Sequence, residues 1–197
     1  AAALKLGRID VGFGRLPIDD PDIACITLLR EPLLAALPAG HRLAGGTVVD
    51  LHELAPAGLV VYPARPRPGY ADQVLDLFAR RGLRPAAVHE ANEMQTALGL
   101  VAAGVGCALV PASASHAGRA GIAFRRLAQD EATSPVIMNV RRGDGAPVLA
   151  RFRAMAAELL PQVLATLHTL QVCDLPPSVL DAQPDSSYDE PIDMRSP

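Results

Sequence analysis

Short apolar runs alternate with amphipathic segments along most of the chain, and this alternation restricts the fold more than any other feature. Leu59–Tyr62 and Cys107–Val110 have the length and composition of buried strands. Between them, Tyr70–Arg81 places its apolar side chains on one helical face, and Glu93–Ala103 predicts a second helix. Strands that alternate with helices at such short spacing predict an α/β fold, in which helices cover a parallel or mixed sheet.

Other segments complete this pattern. Further strands are predicted at 8–13, Ile23–Leu29, Leu33–Leu37, 87–90, Ile122–Leu127 and Pro135–Val140. Asp50 is expected to cap a short helix at Leu51–Leu54, and Asn92 to cap the helix that follows it. A last helix is predicted from Pro147, kinked or broken at Pro161, with an inward face of Leu149, Phe152, Met155, Leu159 and Leu160.

Composition excludes several classes of protein. The net charge of −3 offers no basic surface for nucleic acid. No apolar run approaches the roughly 18 residues of a membrane span. Cys25, Cys107 and Cys173 form no metal-binding or disulfide pattern, so we expect free thiols in a reducing cytoplasm, with no metal and no cofactor. From residue 174 to 197 the chain is acidic and rich in proline, which predicts a disordered tail.

No catalytic motif stands out. Ser113, Ser115 and His116 lie close together, but no G-x-S-x-G turn surrounds either serine, so a hydrolase is the weakest interpretation. Gly104-Val105-Gly106 follows a helix and precedes a strand, the reverse of a dinucleotide-binding turn. We therefore expect no enzyme activity.

One loop is suited to binding a small anion. Pro66-Arg67-Pro68-Gly69-Tyr70 brings a stiff segment to the start of a helix. A helix start presents amide hydrogens and a partial positive charge, which favour a carboxylate.

Several motifs resemble the effector-binding region of LysR-type transcriptional regulators, over most of residues 4–172. The resemblance is closer to the branch that responds to muconate, chloromuconate or benzoate-like acids. The motifs are Leu6-Gly7-Arg8-Ile9-Asp10-Val11-Gly12-Phe13, Glu31-Pro32-Leu33, Leu37-Pro38-Ala39-Gly40-His41-Arg42-Leu43-Ala44, Tyr62-Pro63, the stretch from Glu93 to Gly106, and Val110-Pro111-Ala112-Ser113.

This resemblance implies a fold like the type 2 periplasmic binding proteins. Two Rossmann-like subdomains would be joined by two crossing strands, with the effector between them. Subdomain one would comprise residues 1–31 and 136–173, incomplete at its N-terminus, and subdomain two residues 32–135.

The resemblance also implies particular site residues. Pro68, Gly69 and Tyr70 match a segment that holds an effector carboxylate through backbone amides, although relatives often have Asn and Phe at the last two positions. Ser134, Pro135 and Val136 match a crossing segment beside the ligand. Arg15 and Glu31 match a charged pair near a secondary site for aromatic acids.

Family members begin with a winged helix-turn-helix, and this part is absent from the sequence, which would make the chain a fragment. Operator DNA would be bound only through that missing part, and the full-length family usually forms homotetramers. The resemblance implies a cytoplasmic regulator that senses a small carboxylate and has no membrane partner. The alternative that we keep open is a periplasmic solute-binding protein of similar fold.

Overall fold

A computed structural model of the chain describes residues 1–117 and 119–168. These residues form two compact units: unit 1 contains residues 1–30 and 135–168, and unit 2 contains residues 31–134. Both units combine helices with strands, so the predicted α/β class is confirmed. The predicted tail at 174–197 and Cys173 lie outside the described residues.

The elements follow the alternation that the sequence predicts. The strands are β1 (Val11–Gly14), β2 (Ile23–Pro38), β3 (Val48–Val49), β4 (Leu59–Val61), β5 (Val88–Glu90), β6 (Ala108–Pro111), β7 (Ile122–Leu127) and β8 (Thr133–Arg141). The helices are α1 (Ala2–Lys5), α2 (Leu51–Leu54), α3 (Tyr70–Ala79), α4 (Met94–Ala102) and α5 (Pro147–His168). Asp50 caps α2 as predicted, since its carboxylate accepts from the His52 amide at 2.7 Å.

Unit 2 contains mixed strand pairing around a large apolar core. The second half of β2 pairs antiparallel with both β6 and β7, and β3 runs parallel to β7. β4 runs parallel to β5. Helix α3 buries Val74 and Phe78, and α4 buries Leu98 and Val101, so both helices cover the strands with their apolar faces.

Unit 1 has a much smaller core. β1 pairs antiparallel with β8, with Val11 opposite Val140. The buried cluster here consists of Ala24, Met138, Val140 and Leu149, with Phe152 among the partly buried side chains around it. Because so few side chains are buried, polar contacts at the surface contribute more to holding this unit together.

One arginine supplies many of those polar contacts. The Arg141 guanidinium donates to the carbonyl oxygens of Leu4 and Ile9, both at 2.9 Å. It also pairs with the carboxylates of Asp10 at 2.7 Å and Asp144 at 2.6 Å. Arg141 therefore connects the end of β8 with the N-terminal segment and with the turn before α5.

The structure corrects the predicted break in β2. Two strands separated by Pro32 are expected, but β2 runs without interruption from Ile23 to Pro38. The fixed φ of proline is compatible with extended backbone, and the pairing with β6 and β7 begins only at Leu33 and Leu34. Pro32 thus precedes the positions at which β2 exchanges hydrogen bonds with those strands.

The predicted cap of α4 is also wrong. The helix starts at Met94 with Glu93 as its N-cap residue, and no side-chain cap bond forms there. The Gln95 side chain, in the first turn, accepts a hydrogen bond from Arg119 at 3.3 Å.

Helix α5 differs from the prediction in two respects. It continues past Pro161 to His168, because proline removes one backbone hydrogen bond while good helix formers flank it on both sides. Of its expected inward face, Leu149 is buried, whereas Met155 and Leu159 are 49% and 47% exposed.

In the described ranges, no helix has the length and hydrophobicity needed to cross a membrane.

Candidate functional site

The start of α3 is the first feature of the candidate site. The loop after β4 delivers Pro68 and Gly69 to this helix, and Gly69 is its N-cap residue. A Cβ added to Gly69 would lie 2.9 Å from the Pro66 carbonyl oxygen. A larger residue at this position would therefore force the loop to shift.

This helix start already holds a carboxylate from its own first turn. The Gly69 amide donates to Oδ2 of Asp72 at 2.6 Å, and Oδ1 of Asp72 lies 3.0 Å from Arg67 Nη2. Pro68 has no amide hydrogen. The Gly69 amide is therefore already engaged within the first turn, and the assignment of Pro68, Gly69 and Tyr70 to a segment that holds an effector carboxylate through backbone amides stays a prediction. The first-turn amides of a helix have no acceptor within the helix itself.

The Tyr70 side chain has a structural role. It is buried, and its hydroxyl donates to the Leu109 carbonyl oxygen in β6 at 3.1 Å. Its ring lies 5.1 Å from the Tyr62 ring, between centroids. The Tyr70 hydroxyl thus attaches α3 to β6.

Ser134 and α3 meet within unit 2, although they are far apart in the sequence. Ser134 is fully buried, and its hydroxyl donates to Oε1 of Gln73 at 3.4 Å. Gln73 lies in the first turn of α3, where its amide donates to the Gly69 carbonyl oxygen at 3.3 Å. Two segments that the resemblance assigns to the effector site are therefore linked through Gln73, a residue that sequence reasoning missed.

The remaining predicted residues are divided between the units. Pro135 and Val136 follow Ser134 along β8 and are half-buried in unit 1, where Arg15 also lies. Glu31 is buried in unit 2 and accepts from the Ser113 amide at 2.5 Å. Glu31 thus supports the 3-10 segment Ala112–Ala117, and its role in a secondary site stays a prediction.

The geometry does not support a serine hydrolase. The Ser115 hydroxyl donates to the Ala112 carbonyl oxygen at 2.7 Å. Nδ1 of His116 lies 3.0 Å from the carbonyl oxygen of Ser113. Both side chains complete hydrogen bonds of their own 3-10 segment, which is not the nucleophile–base arrangement of a hydrolase.

Cys107 is an inert thiol of the unit 2 core. Burial raises the pKa of its thiol to about 12. Sγ donates to the Gly58 carbonyl oxygen at 3.0 Å. The group therefore stays protonated and acts as a small core side chain. Within the described part of the chain, no group of three or more His, Cys, Asp or Glu side chains could hold a metal ion.

Both units combine helices with strands, and unit 2 carries a polar cluster at the start of α3. Residues 1–161 match the model of the LysR substrate binding domain. The chain belongs to this family.

The individual relatives are regulators of transcription. The HTH-type transcriptional regulator CatR of Pseudomonas putida is 47% identical over 156 residues, which cover 79% of this chain and 54% of CatR. The HTH-type transcriptional regulator BenM of Acinetobacter baylyi is 40% identical over 141 residues, covering 71% of this chain and 46% of BenM. The chain thus spans about half the length of these curated relatives.

A solved structure agrees with these matches. The BenM effector-binding domain with its effector benzoate superimposes with a TM-score of 0.74 at 34% identity, covering 92% of this chain and 79% of that one. These relatives favour a regulator domain and do not favour the periplasmic solute-binding alternative.

Proposed function

We propose that this chain is the effector-sensing domain of a LysR-type bacterial transcriptional regulator that controls aromatic-compound catabolism. The effector would be a small carboxylate that is muconate-like or benzoate-like. The observation that carries the proposal is the link between the first turn of α3 and buried Ser134 in one unit. The benzoate-bound BenM domain, which shares this fold, supports the choice of ligand class.

The proposed contacts in unit 2 are Pro68, Gly69, Tyr70 and Ser134, and Pro135 and Val136 follow along β8. The effector carboxylate would approach the first-turn amides of α3 beyond Gly69, whose own amide is held by Asp72. Binding would involve no covalent step. It would regulate by favouring one conformation of the domain, to the extent that the effector binds that conformation more tightly.

The partners of the whole regulator belong to this proposal as well. Operator DNA would be contacted by a helix-turn-helix domain, as the descriptions of CatR and BenM as HTH-type regulators suggest. We propose a homo-oligomer that works in the cytoplasm, where the operator is found.

Calorimetric titration of the chain tests the ligand class. We expect cis,cis-muconate or benzoate to bind, and the neutral analogue benzamide to bind at least about tenfold more weakly, because it has no charge to interact with the helix start. Ser134→Ala should weaken carboxylate binding, whereas the matched control Ser115→Ala should not. The proposal would be contradicted if no small carboxylate bound, or if benzoate and benzamide bound with equal affinity.

A further inference from the structure

We infer that Gln73 is a positioning residue of the effector site and that its lack of charge admits an anionic ligand. The inference rests on the proposed function and adds a residue to it. Gln73 is held on the first turn of α3 by its backbone bond to Gly69, and its side chain reaches Ser134. Gln73 therefore connects the start of α3 with Ser134, the first residue of the crossing segment.

The Ser134 hydroxyl points toward Gln73, whose Oε1 accepts from it at 3.4 Å. Ser134 is one of three buried polar residues in the described part of the chain, together with Glu31 and Asn139. A buried hydroxyl that loses its acceptor is left with an unsatisfied donor, which costs free energy. Because Gln73 Oε1 accepts this hydrogen bond, the amide holds the serine in one orientation beside α3.

The lack of charge on the Gln73 side chain matters at this position. Its neighbour Asp72 already places one carboxylate at the helix start, where Arg67 neutralises its charge and the Gly69 amide donates to it. A second carboxylate one residue later would add a negative charge next to the amides that an effector carboxylate would approach. A neutral amide can accept from Ser134 without repelling that ligand.

Three variants of the full chain separate these roles. Gln73→Glu keeps an acceptor for the Ser134 hydroxyl and adds a charge, whereas Gln73→Met has a similar shape but cannot accept the hydrogen bond in the same way. Ala79→Glu adds the same charge at the exposed end of the same helix and serves as the control. Binding of benzoate and cis,cis-muconate is measured by calorimetry between about pH 8 and about pH 5.

We expect Gln73→Glu to weaken carboxylate binding on the order of tenfold at the higher pH, and to recover affinity as the new carboxyl is protonated at the lower pH. Gln73→Met should lose affinity at both pH values without such recovery, and Ala79→Glu should bind like the wild type. A purely structural role for Gln73 would not produce the recovery.

The outcomes also separate the two proposals. The role of Gln73 is overturned if the wild type binds and Gln73→Glu keeps the same affinity or loses affinity without any dependence on pH. The proposed function would still stand in that case. If Gln73→Glu does not fold, unchanged affinity in Gln73→Met overturns the role, and reduced affinity supports it. A wild-type chain that binds neither carboxylate overturns the proposed function, and the role of Gln73 with it.

Discussion

The two units of this domain are stabilised in different ways. Unit 2 buries a continuous set of aliphatic and aromatic side chains from β2, β4, β6, α3 and α4. Unit 1 buries a small cluster from β2, β8 and α5, and relies on Arg141 and on Lys5, whose ammonium group lies 2.7 Å from Asp22. Apolar burial depends little on pH, whereas exposed ion pairs weaken both with added salt and as their carboxylates are protonated.

This difference indicates that the two units contribute unequally to stability and to ligand binding. The segments proposed to meet the effector in unit 2, the start of α3 and Ser134, are attached to the large core through Tyr70, Val74 and Phe78. Unit 1 instead exposes an apolar stripe on α5, formed by Val148, Met155, Leu159 and Val163. We therefore expect substitutions in unit 2 to have the larger effects on stability and on ligand binding.

The largest expected effect comes from the core beneath α3. Phe78→Ala removes a side chain that is 1% exposed and should lower the free energy of unfolding by about 3–5 kcal/mol. Met155→Ala, on the exposed stripe of α5, should change it by less than about 0.5 kcal/mol. Urea denaturation of both variants measures the contrast. Similar losses in the two would show that the units do not differ in this way.

A smaller effect is expected where the loop meets α3. In Gly69→Ala, the new Cβ would lie 2.9 Å from the Pro66 carbonyl oxygen, so the loop must shift. We expect a loss of about 1–3 kcal/mol in stability, together with weaker carboxylate binding. Gly40→Ala is the matched control, since a Cβ there meets nothing within 4 Å. If Gly69→Ala bound carboxylates with wild-type affinity, the loop would not be part of the ligand site.

The smallest effect is an acid sensitivity of unit 1 around Asp144. The Ala146 amide, followed by the Arg141 side chain, holds the pKa of Asp144 below its ordinary value. Stability from this carboxylate is therefore present near neutral pH and is lost as the pH falls through the lowered pKa. Local opening near Asp144 and Arg141, measured by hydrogen exchange corrected for the pH dependence of the intrinsic exchange rate, should increase as the pH falls from about 5 to about 2, and Asp144→Asn should flatten that increase. Equal acid sensitivity in the unit 2 core would contradict the contrast.

Local features were predictable from the sequence, and distant contacts were not. The extent of α3 follows from its apolar period, and the cap at Asp50 follows from one side chain and its nearest backbone. The continuity of β2 through Pro32 depends on where its partner strands begin. The exposure of Met155 and Leu159 depends on how small the core beneath α5 is.

The same distinction applies to the candidate site. A stiff loop before a helix start indicates an anion site from sequence alone, but the bond from Asp72 to Gly69 requires the geometry of the turn. The contact between Gln73 and Ser134 joins residues that are 61 positions apart, and no periodicity in either segment reveals it. The sequence signal for Gln73 was a polar residue one turn after the N-cap glycine. Because many helices have such a residue, this signal does not identify a site.

Hydrogen exchange with and without saturating cis,cis-muconate or benzoate locates the ligand contacts of this chain without any substitution. We expect slower exchange in peptides covering residues 66–73 and 133–136, with little change along α5. Ligand binding that leaves both peptides unchanged, or that protects only segments elsewhere in the chain, would contradict this expectation.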